Sequence, residues 1–152
     1  MRTLLINTRY ASFNDTACST RPKGIELESE FLGFKSFESV AIAAVCVEER
    51  DSTLDQDFMV SEIVKYSNQI GKGVVIVPFA HFARDLKKPK EAKIVINDIK
   101  RKLKKLGILV GEVGFGTHKE LELEVILKSY SHPGDFAWRE SRCSQEHREQ
   151  IE

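Results

Sequence analysis

Residues 40–47, Val-Ala-Ile-Ala-Ala-Val-Cys-Val, constrain the fold more than any other stretch of the chain. The run is almost wholly apolar and β-branched at several positions, which is the pattern of a strand covered on both faces. Its alanines make helix the competing option. Val74-Val75-Ile76-Val77 repeats the buried-strand signal, and Pro78 ends it. Between the two runs, Asp51-Ser52-Thr53 offers capping residues to a helix reaching about Ile70. Met59, Val60, Ile63, Val64, Tyr66 and Ile70 fall on one side of it, and Gly71 and Gly73 stop it.

Pro89 suits the first turn of a second helix, with Ala92, Val95, Ile96, Ile99, Leu103 and Leu106 as its buried stripe and Gly107 as its close. Its polar side carries Lys93, Lys100, Arg101, Lys102, Lys104 and Lys105. Shorter strands are expected at Thr3–Thr8, around Ile25, Leu27 and Phe31, at Ile108–Val110, and along the alternation Leu121, Leu123, Val125, Leu127. Arg9–Gly24, rich in Asn, Asp, Ser and Thr, reads as an irregular excursion. The sum is a mixed-sheet α/β domain with two main helices, expected over residues 1–141. Residues 142–152 read as the start of a truncated linker to further domains.

Charge is balanced overall, with 23 basic and 23 acidic residues, but it is segregated along the chain. Nine acidic residues stand against two basic ones between Glu26 and Asp57, and nine basic against two acidic between Lys87 and Lys105. Such a basic face attracts a polyanion or simply faces water. No apolar run approaches the roughly 20 residues of a membrane span. Three cysteines without a C-x-x-C pair fit a reducing cytosol, so a cytoplasmic, membrane-free protein is expected.

Familiar motifs are poor. Gly111-Glu112-Val113-Gly114-Phe115-Gly116 lacks the spacing and the Lys-Ser/Thr pair of a phosphate loop. His81, His118 and His132 are scattered, and Cys143-x-x-x-His147 has no partner pair, so neither metal nor cofactor is expected. Two segments remain. Pro78-Phe79-Ala80-His81 follows the strongest strand, where α/β folds gather ligands. Phe115-Gly116-Thr117-His118-Lys119 delivers a lysine from a Gly-flanked turn to the start of a strand.

Together with Met1–Asn7, Ala43–Glu49 and Lys88-Pro89, these segments resemble the N-terminal editing domain of archaeal-type threonyl-tRNA synthetase. That domain is similar in fold to D-aminoacyl-tRNA deacylase. The resemblance covers nearly the whole chain to about Ser141. It implies hydrolysis of serine mischarged onto threonine tRNA, with tRNA as partner, help from a ribose hydroxyl of the tRNA, and pairing of the domains as a homodimer. It also implies His81 and Lys119 as catalytic residues, with Val47, Pro78, Phe79, Ala80, Phe115, Gly116 and His118 around the substrate. His118 stands where relatives often carry an aromatic residue. A family Glu after His132-Pro133 has no direct match, leaving Asp135 or Glu140 as its substitute. Lys100, Arg101 and Lys104 are the candidates for contacting tRNA.

The chemistry fits those residue types. Serine lacks only one methyl relative to threonine, so a synthetic site rejects it by about 1–3 kcal/mol, and a second, tighter site is needed. An aminoacyl ester is already activated. A positioned water and a stabilised oxyanion suffice, with Lys119 holding the water and His81 the substrate. The alternatives are a D-aminoacyl-tRNA deacylase and a non-catalytic tRNA-binding appendage.

Overall fold

A computed structural model describes residues 1–17, 24–26, 28–130 and 132–141. The elements run β1 (Arg2–Thr16), a 3-10 turn (Ser29–Phe31), β2 (Gly33–Glu38), β3 (Val40–Cys46), α1 (Thr53–Ile70), β4 (Gly73–Pro78), α2 (Pro89–Lys105), β5 (Val110–Glu112), β6 (His118–Val125) and β7 (Phe136–Glu140). β3, β4 and β5 are parallel neighbours, and β1 joins the other side of β3 antiparallel.

β1 is the longest strand and belongs to two layers. Its first part pairs with β3 and β7, and its distal part with β2 and β6. The change occurs at one level. The register with β6 slips between Thr8 and Tyr10. Beside it the Ser39 N–H donates to the Arg9 carbonyl at 2.8 Å. Ser39 joins β2 to β3 at φ 54°, a left-handed conformation that lets the partner strand turn the same corner.

This corner makes two cores. On one face of the inner sheet Ala41, Ala43, Val45, Val74 and Ile76 meet Met59 and Ile63 of α1 and Ile96 and Ile99 of α2. On the other face Ile42, Val75 and Val77 meet Ala11 and Phe13 of β1, folded back over them. β3 therefore buries alternate residues in opposite directions, which is why its sequence is apolar throughout. Phe13 and Phe37 meet edge to face at 6.0 Å in the second core. Gly111 makes room there, since a Cβ would lie 2.7 Å from the Phe37 ring.

The helices start and stop as their sequences dictate. Ser52 and Asp55 form a reciprocal capping box, and Gly71 closes α1 at φ 67°. Pro89 occupies the first turn of α2. No helix among the described residues is long and apolar enough to cross a membrane.

Several expectations are corrected. The Arg9–Thr16 stretch is strand, because pairing on both sides outweighs its turn-forming residues. Residues around Ile25 form no strand, and the 3-10 turn takes the place of the expected alternation; Leu27 and Pro22 lie outside the described residues. Leu106 is 61% exposed, because α2 ends one residue earlier. The Ile108 N–H caps the Leu103 carbonyl at 3.1 Å, so β5 begins at Val110 and Leu109 faces solvent. The polar chain after Gly134 makes a strand, β7, against the start of β1. The tail expected to be a linker, residues 142–152, lies outside the described residues.

Removing the Phe13 ring should cost about 3–5 kcal/mol, the range for a buried aromatic truncated to alanine. Phe34, 69% exposed on β2, is the control: Phe34→Ala should stay within about 0.5 kcal/mol. Urea melts of the two variants check the contrast.

Candidate active site

The carboxyl ends of β3, β4 and β5 open at one end of the sheet, the usual place for a ligand in an open α/β fold. A cavity of about 180 Å³ lies there. Val45 and Val47 form one wall, where β3 runs out. Pro78, Phe79 and Ala80 form the next, fixed because the Phe79 N–H donates to the Val45 carbonyl at 2.9 Å. Pro89, Ala92 and Ile96 bring the first turns of α2 against it, and Phe115 and Gly116 close it from the turn after β5. The walls are almost all carbon, so the cavity selects by shape.

Of the residues singled out in the sequence, Val47, Pro78, Phe79, Ala80, Phe115 and Gly116 come together in this cavity. His81, Lys119 and His118 are not among its lining residues. The His81 ring packs edge-on against Phe79, centroids 4.8 Å apart, and opens onto an adjoining groove. That groove also holds Arg2, Glu48, Phe82, Arg84 and Asp85. Arg2 ties the loop down: its Nη1 donates to the Phe82 carbonyl at 3.0 Å, and its Nε lies 3.2 Å from Glu48. The amino group of Met1 sits 3.2 Å from the same Glu48 carboxylate.

Lys119 lies three residues beyond Gly116, near the start of β6, directly opposite Asp15 of β1. Its ammonium donates to the Thr117 hydroxyl at 2.9 Å. Asp15 Oδ2 accepts from the Gly114 N–H and from Thr117 Oγ1, each at 2.8 Å. His118 points to solvent at the beginning of the strand. Sequence reasoning misses both Asp15 and Thr117. Asp15 lies in the stretch read as irregular, and its partners are about a hundred residues away.

The basic side of α2 is also rearranged. Lys100 is only 5% exposed, with its ammonium 3.7 Å from Glu112 and 5.6 Å from the centroid of the Phe31 ring. Burial pushes its pKa below the usual lysine range, against the pull of Glu112 and Glu28. Helical periodicity assigns it to the exposed face, and the packing of Phe31 removes it from there. Arg101 and Lys104 are exposed, paired with Asp98 at 2.7 Å and Glu112 at 3.6 Å.

Neither candidate for the missing Glu lines the cavity. Asp135 is buried and accepts from the Lys128 N–H at 2.9 Å. Glu140 accepts from the Trp138 indole at 2.8 Å. The turn before β7 is held by Tyr66, whose hydroxyl donates to the Gly134 carbonyl at 2.7 Å. The Cys143 and His147 pair lies outside the described residues.

A family model described as the archaea-specific editing domain of threonyl-tRNA synthetase matches residues 1–133. Among curated relatives, the threonine--tRNA ligase of Thermofilum pendens is 28% identical, over 88% of this chain and 21% of the relative. Those of Pyrococcus horikoshii and Methanocaldococcus jannaschii are 31% and 32% identical, each over 81% of this chain and 20% of the relative. The chain thus spans about a fifth of the length of these relatives. Among solved structures, the c-Myc DNA Unwinding Element Binding Protein superimposes with a TM-score of 0.65 at 13% identity, covering 93% of this chain and 99% of its own. That likeness concerns the fold alone, and the single mixed-sheet α/β domain with two main helices is the architecture expected from the sequence.

Burial, and then the nearby Asp135 charge, push the Tyr66 phenol from 10.0 up to about 12. The unfolded chain then loses this proton first as pH rises, so the Tyr66 contribution is full below about pH 10 and fades towards pH 12. Tyr66→Phe should cost about 1 kcal/mol near neutrality through the lost hydrogen bond. Its stability gap from wild type should shrink steadily above pH 10 in denaturant melts.

Proposed function

The chain belongs to the archaea-specific family of threonyl-tRNA synthetase editing domains, and we propose that its site hydrolyses serine from mischarged threonine tRNA while sparing threonine. The observation carrying this reading is the small apolar cavity at the carboxyl ends of three parallel strands. At about 180 Å³ it is smaller than the roughly 300–1,000 Å³ of ordinary ligand pockets, a size for an amino-acid side chain but not a nucleotide. Its walls are backbone turns, Pro78, Ala80 and β-branched Val47, which have little freedom to move aside for an extra methyl.

In this reading the seryl side chain enters the cavity and the ester stays at its mouth. In the same reading His81, whose ring packs on Phe79, and Lys119, three residues beyond Gly116, act on the ester there. Water attacks the carbonyl carbon, the bond to the ribose oxygen breaks, that oxygen leaves with one of the water's protons, the other passes to solvent, and serine departs as its carboxylate. Lys119 orients the water and stabilises the developing oxyanion as a cation, while His81 holds the substrate. The tRNA acceptor end supplies the polyanion for Arg101 and Lys104.

Deacylation of L-seryl-, L-threonyl- and D-aminoacyl-tRNA side by side tests the assignment. Seryl-tRNA should be turned over about 10–200-fold faster than threonyl-tRNA, the range one methyl allows. Lys119→Met should lower turnover by about 100-fold or more in a protein that still folds, which far-UV circular dichroism checks. Equal rates on serine and threonine, or preference for the D-aminoacyl ester, would overturn the reading. Arg101→Glu with Lys104→Glu should weaken tRNA binding and lower its salt slope by about one for each phosphate no longer neutralised. Lys100→Met, altering a buried residue, should leave affinity unchanged.

A further inference from the structure

We infer that Asp15 is a positioning residue for the hydrolysis proposed above, on which this inference rests: it fixes the turn from Gly114 to Thr117 and, through the Thr117 hydroxyl, aims the Lys119 ammonium. No property of Asp15 was legible in the sequence. The fold brings it to the site from the far end of β1, directly across the ladder from Lys119.

The geometry is directional. The Asp15 side chain is fully buried. Lys119 Nζ stands 3.9 Å from Asp15 Oδ2, too far for a hydrogen bond, so their direct interaction is Coulombic. The hydroxyl of Thr117 bridges them. It has one proton, which points to Oδ2 at 2.8 Å, leaving its lone pairs to accept from the ammonium at 2.9 Å. Without the carboxylate the hydroxyl is free to rotate and to offer its proton elsewhere.

The same oxygen holds the turn. Oδ2 accepts from the Gly114 N–H at 2.8 Å, and a Cβ at Gly114 would lie 2.9 Å from it, so only glycine permits the approach. Phe115 and Gly116, the closing wall of the cavity, lie between the two residues that Asp15 grips. One carboxylate thereby sets the wall and the ammonium relative to each other. Lys35 Nζ, 3.3 Å from Oδ1, supplies a second cation. A carboxylate serving burial alone would be answered by Lys35 and the Gly114 amide. The Thr117 relay to Lys119 adds a direction that burial does not require.

The test is a double-mutant cycle on seryl-tRNA deacylation. Asp15→Asn keeps the shape, and it should lower kcat by about 10–100-fold, as a small misplacement of a catalytic group does, with KM changed by less than about threefold. Thr117→Val should have a similar effect while leaving the buried charges in place. In a Lys119→Met background Thr117→Val should cost less than about twofold more, because its route of action through the ammonium is gone. Losses that multiply, or a wild-type kcat in Asp15→Asn, would overturn the inference.

A readout independent of substrate comes from amide exchange by NMR. Asp15→Ala should accelerate Gly114 exchange about tenfold or more while the Val75 and Ile76 amides of the central strand stay protected. Unchanged Gly114 exchange would overturn the inference too. If wild type leaves seryl-tRNA intact, the substrate assignment falls by itself and the Gly114 amide still decides whether Asp15 holds the turn. Should Asp15→Ala not fold, Thr117→Val and Asp15→Asn carry the decision.

Discussion

The corner in β1 at Thr8–Tyr10 is the constraint on which the rest of the molecule depends. A strand with free edges must find partners for a row of backbone donors and acceptors. β1 finds them on both sides along most of its length, first with β3 and β7 and then with β2 and β6. Because its partners turn with it, the outer layer folds over Ile42, Val75 and Val77 without breaking the ladder. The corner also decides where chemistry can occur. It carries the end of β1 back across the sheet, so that Asp15 meets the turn leaving β5, with Lys119 of β6 beside it.

The cavity and its polar surroundings divide the work. The space beyond the parallel strands is walled mostly by carbon, and the charged pairs Arg2 with Glu48 and Asp15 with Lys119 are not among its lining residues. The discrimination we propose for this cavity, worth about 1–3 kcal/mol, would be easily lost to a wall that yields. Here the walls are tied through the backbone: Phe79 to Val45, Lys87 to Val47, and the Phe115–Gly116 turn to Asp15 through Gly114.

What the sequence revealed was local. The Val40–Val47 run, the capping residues at Asp51–Thr53, Pro89 and the terminating Gly71 all act within a few residues of themselves, and each lies where its chemistry places it. The lining residues Val47, Pro78, Phe79, Ala80, Phe115 and Gly116 came from the family resemblance, and their segments lie at or just beyond the ends of strands. The failures were non-local. Asn14, Asp15 and Thr16 are turn-forming types, and only their partners in β2 and β6 make them a strand. Lys100 occupies the polar side of α2 by periodicity, yet Phe31, from a segment whose alternation pointed to a strand instead of a 3-10 turn, lies against it. β7 was missed because a short polar strand is defined by its neighbour, here the start of β1.

The same distinction explains why the electrostatics of the site were hidden. A carboxylate placed in a fold's interior is unfavourable unless donors and cations surround it, so its position is set by everything that converges on it. Around Asp15 those are an amide from the turn after β5, a hydroxyl and an ammonium from the approach to β6, and an ammonium from β2. They come from separate parts of the chain, and none signals the others in sequence. Once assembled, the group is hard to rearrange, because moving one member leaves a buried charge or donor without its partner. That rigidity suits the discrimination by a single methyl that we propose for this site.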